Sequence, residues 1–179
     1  MAVNTWFPAF TLVVGLALGM FADFLRDQRL LKREEKARQE GRRDAVALRR
    51  IEFQRATLLE LLDAIAKLAR MAGSTHHQDR MSFLATGDWK KNLLTEEVNE
   101  GFRQAQVWVG SLYIRVHDTT IRQLSEDMKT ACAEVALATS DADQFDAMRR
   151  MSALLDRLDA RIGEVLRGLD TGEDELLAD

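Results

Sequence analysis

A chain of 179 residues that is 46% hydrophobic and 30% charged, with one proline and ten glycines, has the composition of long uninterrupted helices and argues against a turn-rich sheet protein. Its single cysteine, Cys132, excludes an intramolecular disulfide framework and points to a reducing compartment. The net charge of -4 joins two opposed regions: residues 26–50 carry ten Lys/Arg against five Asp/Glu, and residues 51–179 carry fifteen against twenty-three. The basic block interleaves Glu34, Glu35 and Glu40 and has no aromatic residues for base stacking, so it suits anionic lipid headgroups and not nucleic acid.

The first predicted element is the run WFPAFTLVVGLALGMFA, residues 6–22, within an opening stretch that holds no charged side chain before Asp23. Twenty residues, Val3 to Ala22, reach about 30 Å as a helix, the thickness of a bilayer's hydrocarbon core. A helix at the surface of a soluble domain keeps a polar stripe, and this one has none. No Lys or Arg precedes the run, so it lacks the basic n-region of a cleaved secretory signal. The segment therefore predicts a transmembrane anchor over residues 1–25, with Trp6 and Phe7 at one membrane interface. The ten basic residues behind it place that side in the cytoplasm by the positive-inside rule. The expected location is the inner (plasma) membrane, single-pass, N-terminus outside and C-terminal domain cytoplasmic. Gly15 and Gly19 form a small-xxx-small pair that lets two such helices approach closely.

Residues 26–44 predict a basic juxtamembrane stalk that is helical without a core, supported by Glu34 with Arg38 and Lys36 with Glu40 at i,i+4. Arg26, Arg29, Lys32, Arg33 and Lys36 are its expected headgroup contacts, and Gly41 its expected bend. Beyond it Leu48, Ile51, Leu58, Leu62, Ile65, Ala69 and Ala72 recur at helical spacing, widened by Leu61 and Leu68, and predict a helix to about residue 72. The stretch GSTHHQDRMSFLATGD then reads as a loop, with Gly73, Ser74, Gly87 and Asp88 as breakers and caps.

A second helix starting near Asp88 or Trp89 places Leu94, Val98, Ala105, Val109, Leu112 and Val116 inward. VWVGSLYIRV also reads as two strands about a Gly-Ser turn, but an isolated hairpin is only marginally stable and the apolar residues do not strictly alternate, which favours helix. A phase change at His117-Asp118-Thr119 marks a boundary, followed by the stripe Ile121, Leu124, Met128, Ala131, Val135 and Ala138. Ser140 with Asp143 offers a new N-cap. The last helix carries Phe145, Met148, Met151, Leu155, Leu158, Ile162, Val165 and Leu169, and DTGEDELLAD reads as a frayed acidic tail. The expected fold class is all-α: an N-terminal transmembrane helix (1–25), the stalk (26–44), an antiparallel four-helix-bundle-like cytoplasmic domain (45–170) and the acidic tail (171–179).

Motifs of chemistry are sparse. The sequence holds no Glu-x-x-His tetrad, no His-Glu-x-x-His, no phosphate-binding glycine loop and no Cys pair for zinc, and predicts no cofactor and no metal site. His76 and His77, the pair His117-Asp118, and Asp156 or Asp159 follow the ligand order of HD-class metal phosphohydrolases, a remote alternative; as ordinary residues they read as a solvated loop and a helix cap. Trp89, Trp108 and Tyr113 at helical spacing read as packing residues, Cys132 as an apolar filler, and Arg49-Arg50 and Arg149-Arg150 as solvated or partner-facing edges.

The anchor, the arginine-rich juxtamembrane helix and the stretch RRIEFQRATLLELLDAIAKL together resemble the layout of uncharacterised small single-pass bacterial membrane proteins over residues 6–70. The resemblance implies no catalytic residues. The function expected is a non-enzymatic, membrane-tethered interaction or scaffold module that binds membrane lipids and acts by self-association or through a protein partner. The alternative is a membrane-disrupting effector activated by oligomerisation.

Overall fold

A computed structural model describes the backbone of residues 6–89 and 95–178, and the side chains of these from residue 32 onward except Glu175 and Ala178. The described residues form four helices: α1 (Trp6–Thr86), α2 (Glu96–Tyr113), α3 (Thr119–Leu137) and α4 (Asp141–Ala178). The chain divides into two compact units, Met1–Ala47 and Leu48–Asp179.

In the first unit α1 is helical from Trp6, and residues 32–43 are exposed throughout. A helix without a buried face relies on local terms, and here Lys36 with Glu40 and Arg38 with Glu34 meet at 3.5 Å, the two i,i+4 pairs the spacing predicts. The backbone stays helical through Gly41, where a bend was expected. Among the described residues no helix is long and apolar enough to cross a membrane. The run 6–22 on which the anchor expectation rests, with Trp6, Phe7, Gly15 and Gly19, lies outside the residues whose side chains are described, as do Arg26 and Arg29.

The second unit is a four-helix bundle. Its core takes Leu58, Leu61, Ile65 and Leu68 from α1, Ala105, Val109 and Leu112 from α2, the whole stripe from Ile121 to Val135 of α3, and Met151, Leu158 and Ile162 from α4. The order around the bundle follows from contacts between helices. Trp108 Nε1 donates to Glu60 Oε1 at 3.1 Å, while Gln54 lies against Arg115 and His117, so α2 runs antiparallel to α1. Lys129 lies 5.4 Å from the Tyr113 ring centroid, joining α2 to α3. Arg150 meets Glu134 at 2.8 Å and Arg161 meets Asp118 at 2.7 Å, so α3 and α4 are antiparallel. Arg55 pairs with Asp170 and Glu173 while His76 meets Gln144, which returns α4 to α1 and closes the ring. The arrangement is up-down-up-down, the topology that short connections between amphipathic helices favour.

Three boundaries differ from the sequence expectation. Helix α1 does not stop at residue 72 but runs to Thr86. The hydroxyls of Ser74 and Thr75 donate to the carbonyl oxygens four residues back, Arg70 at 3.0 Å and Met71 at 3.1 Å, which lets two loop-forming residue types sit inside a helix. The stop comes at Gly87, whose φ of +72° suits glycine and whose N–H donates to Phe83 O at 2.8 Å. Helix α2 begins at Glu96, capped by Thr95, whose Oγ1 accepts from Val98 N at 3.4 Å; Leu94 lies outside the described residues. The segment 107–113 is helical and not a hairpin. Helix α4 continues through the expected tail to Ala178. At two predicted caps the structure agrees: Asp118 Oδ1 accepts from Ile121 N at 2.8 Å, and Ser140 Oγ accepts from Asp143 N at 3.1 Å while donating to Asp143 Oδ2 at 2.7 Å.

Candidate functional site

The polar residues of the bundle gather at its two ends. At the end formed by residues 75–86 of α1, the last turn of α3 and the first of α4, the fully buried Gln144 ties three helices together. Its Nε2 donates to Asp79 Oδ2 at 2.9 Å and to the Val135 carbonyl at 3.1 Å. Both amide hydrogens are then used, so the remaining 2.7 Å contact, between Gln144 Oε1 and His76 Nδ1, requires His76 to donate. Val135 lies in the final turn of α3, where carbonyls lack helical partners, and the amide satisfies one of them. Asp79 is buried as well, and its Oδ1 has no hydrogen-bond partner among the described residues. Gln144 falls on the apolar register of α4, four residues before Met148 and seven before Met151. A polar residue inside an apolar stripe is the signal that could have found this cluster in the sequence.

At the opposite end Gln54 plays a similar part toward the α2–α3 link. Its Nε2 donates to the Arg115 carbonyl at 3.0 Å and its Oε1 accepts from His117 N at 3.1 Å, so one side chain replaces two backbone partners that the end of α2 leaves open. Asp118 is half-buried and pairs with Arg161 at 2.7 Å; Arg161 also reaches Glu164 at 2.7 Å. The guanidinium's hydrogen bond, aided by the Ile121 N–H, holds the Asp118 carboxyl below the usual carboxylate range against the opposing effect of burial. Arg55 lies between Asp170 and Glu173, and their hydrogen bonds raise its pKa above the ordinary value.

The histidines and acids of the HD-type order are not brought together. His76 and His77 lie on α1 toward one end, whereas His117 is exposed beside the link at the other and Asp118 serves as a cap and ion-pair partner. Among the described residues no group of three His, Cys, Asp or Glu side chains could hold a metal ion. The Cys132 thiol is fully buried and pushed up to about 12 by desolvation, which makes it an inert packing group. Trp108 packs at the α1–α2 interface, with Lys67 5.9 Å from its ring centroid, and Trp89 meets Phe83 edge-on at 5.7 Å.

A groove of about 550 Å³ runs along α1 beside the start of α2, lined by Arg70, Gly73, Ser74, His77 and Val98. It is an open surface feature on a different face of α1 from buried Asp79. Lys32, Arg33 and Lys36, three of the expected headgroup contacts, are exposed on the first unit. Compared with known proteins, the chain matches no family, no curated protein and no solved structure.

Proposed function

We propose that the protein is a single-pass, membrane-tethered helical interaction module whose bundle works on the cytoplasmic face through self-association or a protein partner, without catalysing a reaction. The observation that carries this reading is the abrupt change along the chain, from residues 1–22 with no charged side chain to ten Lys/Arg within residues 26–50. Apolar length selects a bilayer, and the charge on one side of it selects the cytoplasm. The exposure of residues 32–43 supports the stalk, since Lys32, Arg33 and Lys36 are on its solvent-exposed surface, within reach of anionic headgroups.

In this reading the anchor confines the bundle to two dimensions and raises its effective concentration toward partners on the same membrane. Gly15 and Gly19 supply a close-packing face for a second anchor. The test is fractionation of the full chain. It should stay in the membrane pellet through salt and alkaline-carbonate washes, and protease added outside intact cells should leave the bundle uncut. Release by salt alone, or cleavage of the bundle from outside, overturns the assignment. Replacing Gly15 and Gly19 by Ile should reduce cross-linked dimers, and unchanged dimers remove that pair from the mechanism.

A further inference from the structure

Helix α1 changes character at Gly73. Before it, Leu58, Leu61, Ile65, Leu68 and Ala72 are fully buried in the core. After it the buried residues are Thr75 and Asp79, both polar, while Met81 and Leu84 are 54% and 66% exposed and Phe83 is half-buried. Among the described residues, no apolar side chain of 73–86 belongs to the core or packs against it. Local preference does not make up for the missing burial. Gly73, Ser74, Thr75, His76, His77 and Asp79 are all poorer helix formers than the leucines and alanines before them, and the last turn has no basic residue to meet the helix dipole. A stretch with this sequence and so little apolar burial is the kind that opens locally, ahead of the domain around it.

The contacts that hold it closed are polar. Gln144 of α4 donates to Asp79 Oδ2 at 2.9 Å and accepts from His76 Nδ1 at 2.7 Å, gripping two residues of one face of α1. The same amide nitrogen donates to the Val135 carbonyl at the end of α3, a bond that does not involve α1 and survives if α1 lets go. The closed position also carries a cost. Asp79 Oδ1 is buried with no hydrogen-bond partner among the described residues, and opening returns it to water. A bonded latch set against a buried oxygen that gains by release gives the segment two discrete positions.

We propose that residues 74–86 form a strap that opens as a unit about Gly73 while the rest of the bundle stays folded, and that Gln144 is its latch. Opening lays bare Thr75, Asp79 and Gln144, a polar seam between the ends of α1, α3 and α4 that the closed strap covers. A partner that hydrogen-bonds the freed Gln144 amide competes with Asp79 and shifts the strap toward its open position. The device goes beyond membrane attachment and does not depend on it.

The experiment uses the full chain in detergent micelles carrying Thr75→Cys, so that a thiol under the strap is compared with Cys132 in the core of the same molecule; both positions are buried. With a maleimide at neutral pH the introduced thiol should react at least about tenfold faster than Cys132, which is reached only when the whole bundle unfolds. Adding Gly73→Ala, whose new methyl meets nothing within 4 Å, should slow the introduced thiol about fivefold by raising helix propensity at the hinge. Adding Gln144→Leu should bring it to the rate of an exposed thiol while Cys132 stays protected. Two thiols that react in step overturn the strap, since the segment then opens only with the bundle. An introduced thiol whose rate Gln144→Leu leaves unchanged overturns the latch. Hydrogen exchange of the unsubstituted chain checks the strap without any substitution: the amides of residues 76–86 should exchange together and ahead of those of 58–68, and exchange at a common rate overturns it.

Discussion

The two ends of the bundle are secured by different physics. Around residues 76–79 and 144 the helices are joined by a neutral amide with no exposed surface, reaching a buried carboxyl group, a histidine and a helix-end carbonyl. Around residues 54–55, 118 and 161–173 they are joined by ion pairs that keep partial contact with water, and apolar residues beside them are only half-covered. The first end is closed: every Gln144 group has a partner inside the domain, so removing one leaves another stranded. The second is open, and its charges trade modest energy for the ability to change partners. Closure fixes the helix positions at the first end, and the second end leaves its charges in reach of solvent.

The sharpest way to break this contrast is Gln144→Leu. The substitution keeps approximate volume but removes the Gln144 amide that donates to Asp79, and should cost about 2–4 kcal/mol in urea unfolding. A loss below about 0.5 kcal/mol, the range of ordinary surface substitutions, would mean that the cluster does not hold that end. At the open end, Asp118→Ala should cost about 1 kcal/mol by deleting the α3 cap, while Asp118→Asn should retain most of it because Asn also caps. The pair also fixes a pH dependence. The folded-state pKa of Asp118 is depressed, chiefly by Arg161, so its contribution is present above the ordinary carboxylate value and lost as pH falls through the lower folded value. Asp118→Asn should flatten that part of the acid-unfolding profile; an unchanged profile would remove the carboxylate from it. The smallest effect concerns Cys132, which should react with a thiol reagent at neutral pH only as fast as the bundle unfolds. Rapid labelling of the folded chain would show that the core is not closed at that position.

Helix α3 was the most legible element, since Ile121, Leu124, Met128, Ala131, Val135 and Ala138 all proved buried and the Asp118 and Ser140 caps fell where the spacing put them. Its boundaries are written in local chemistry. The end of α1 was not, because Gly73, Ser74 and Thr75 have loop propensity in isolation and are helical here, with Thr75 buried. Packing overrode a weak local preference. Phe145 was expected inside and is 52% exposed, while its neighbour Gln144 takes the buried position. Hydrophobicity ranks Phe above Gln for burial, and the partners that Asp79, His76 and the Val135 carbonyl offer Gln144 reverse that order. The α4 end read as a tail because it is acidic, yet Arg55, 115 and 118 residues away in the chain, pairs with Asp170 and Glu173 there.

The link from Asp79 to Gln144 also sets an order of events during synthesis. The two residues are 65 positions apart, and the helix carrying Gln144 is made after α1, α2 and α3. Until it emerges, a nascent chain presents the inner faces of α1 and α3 with Asp79 still hydrated. A chain cut short anywhere before residue 141 therefore never loses that wet seam, and a protease that recognises exposed helical faces can tell it from a finished molecule.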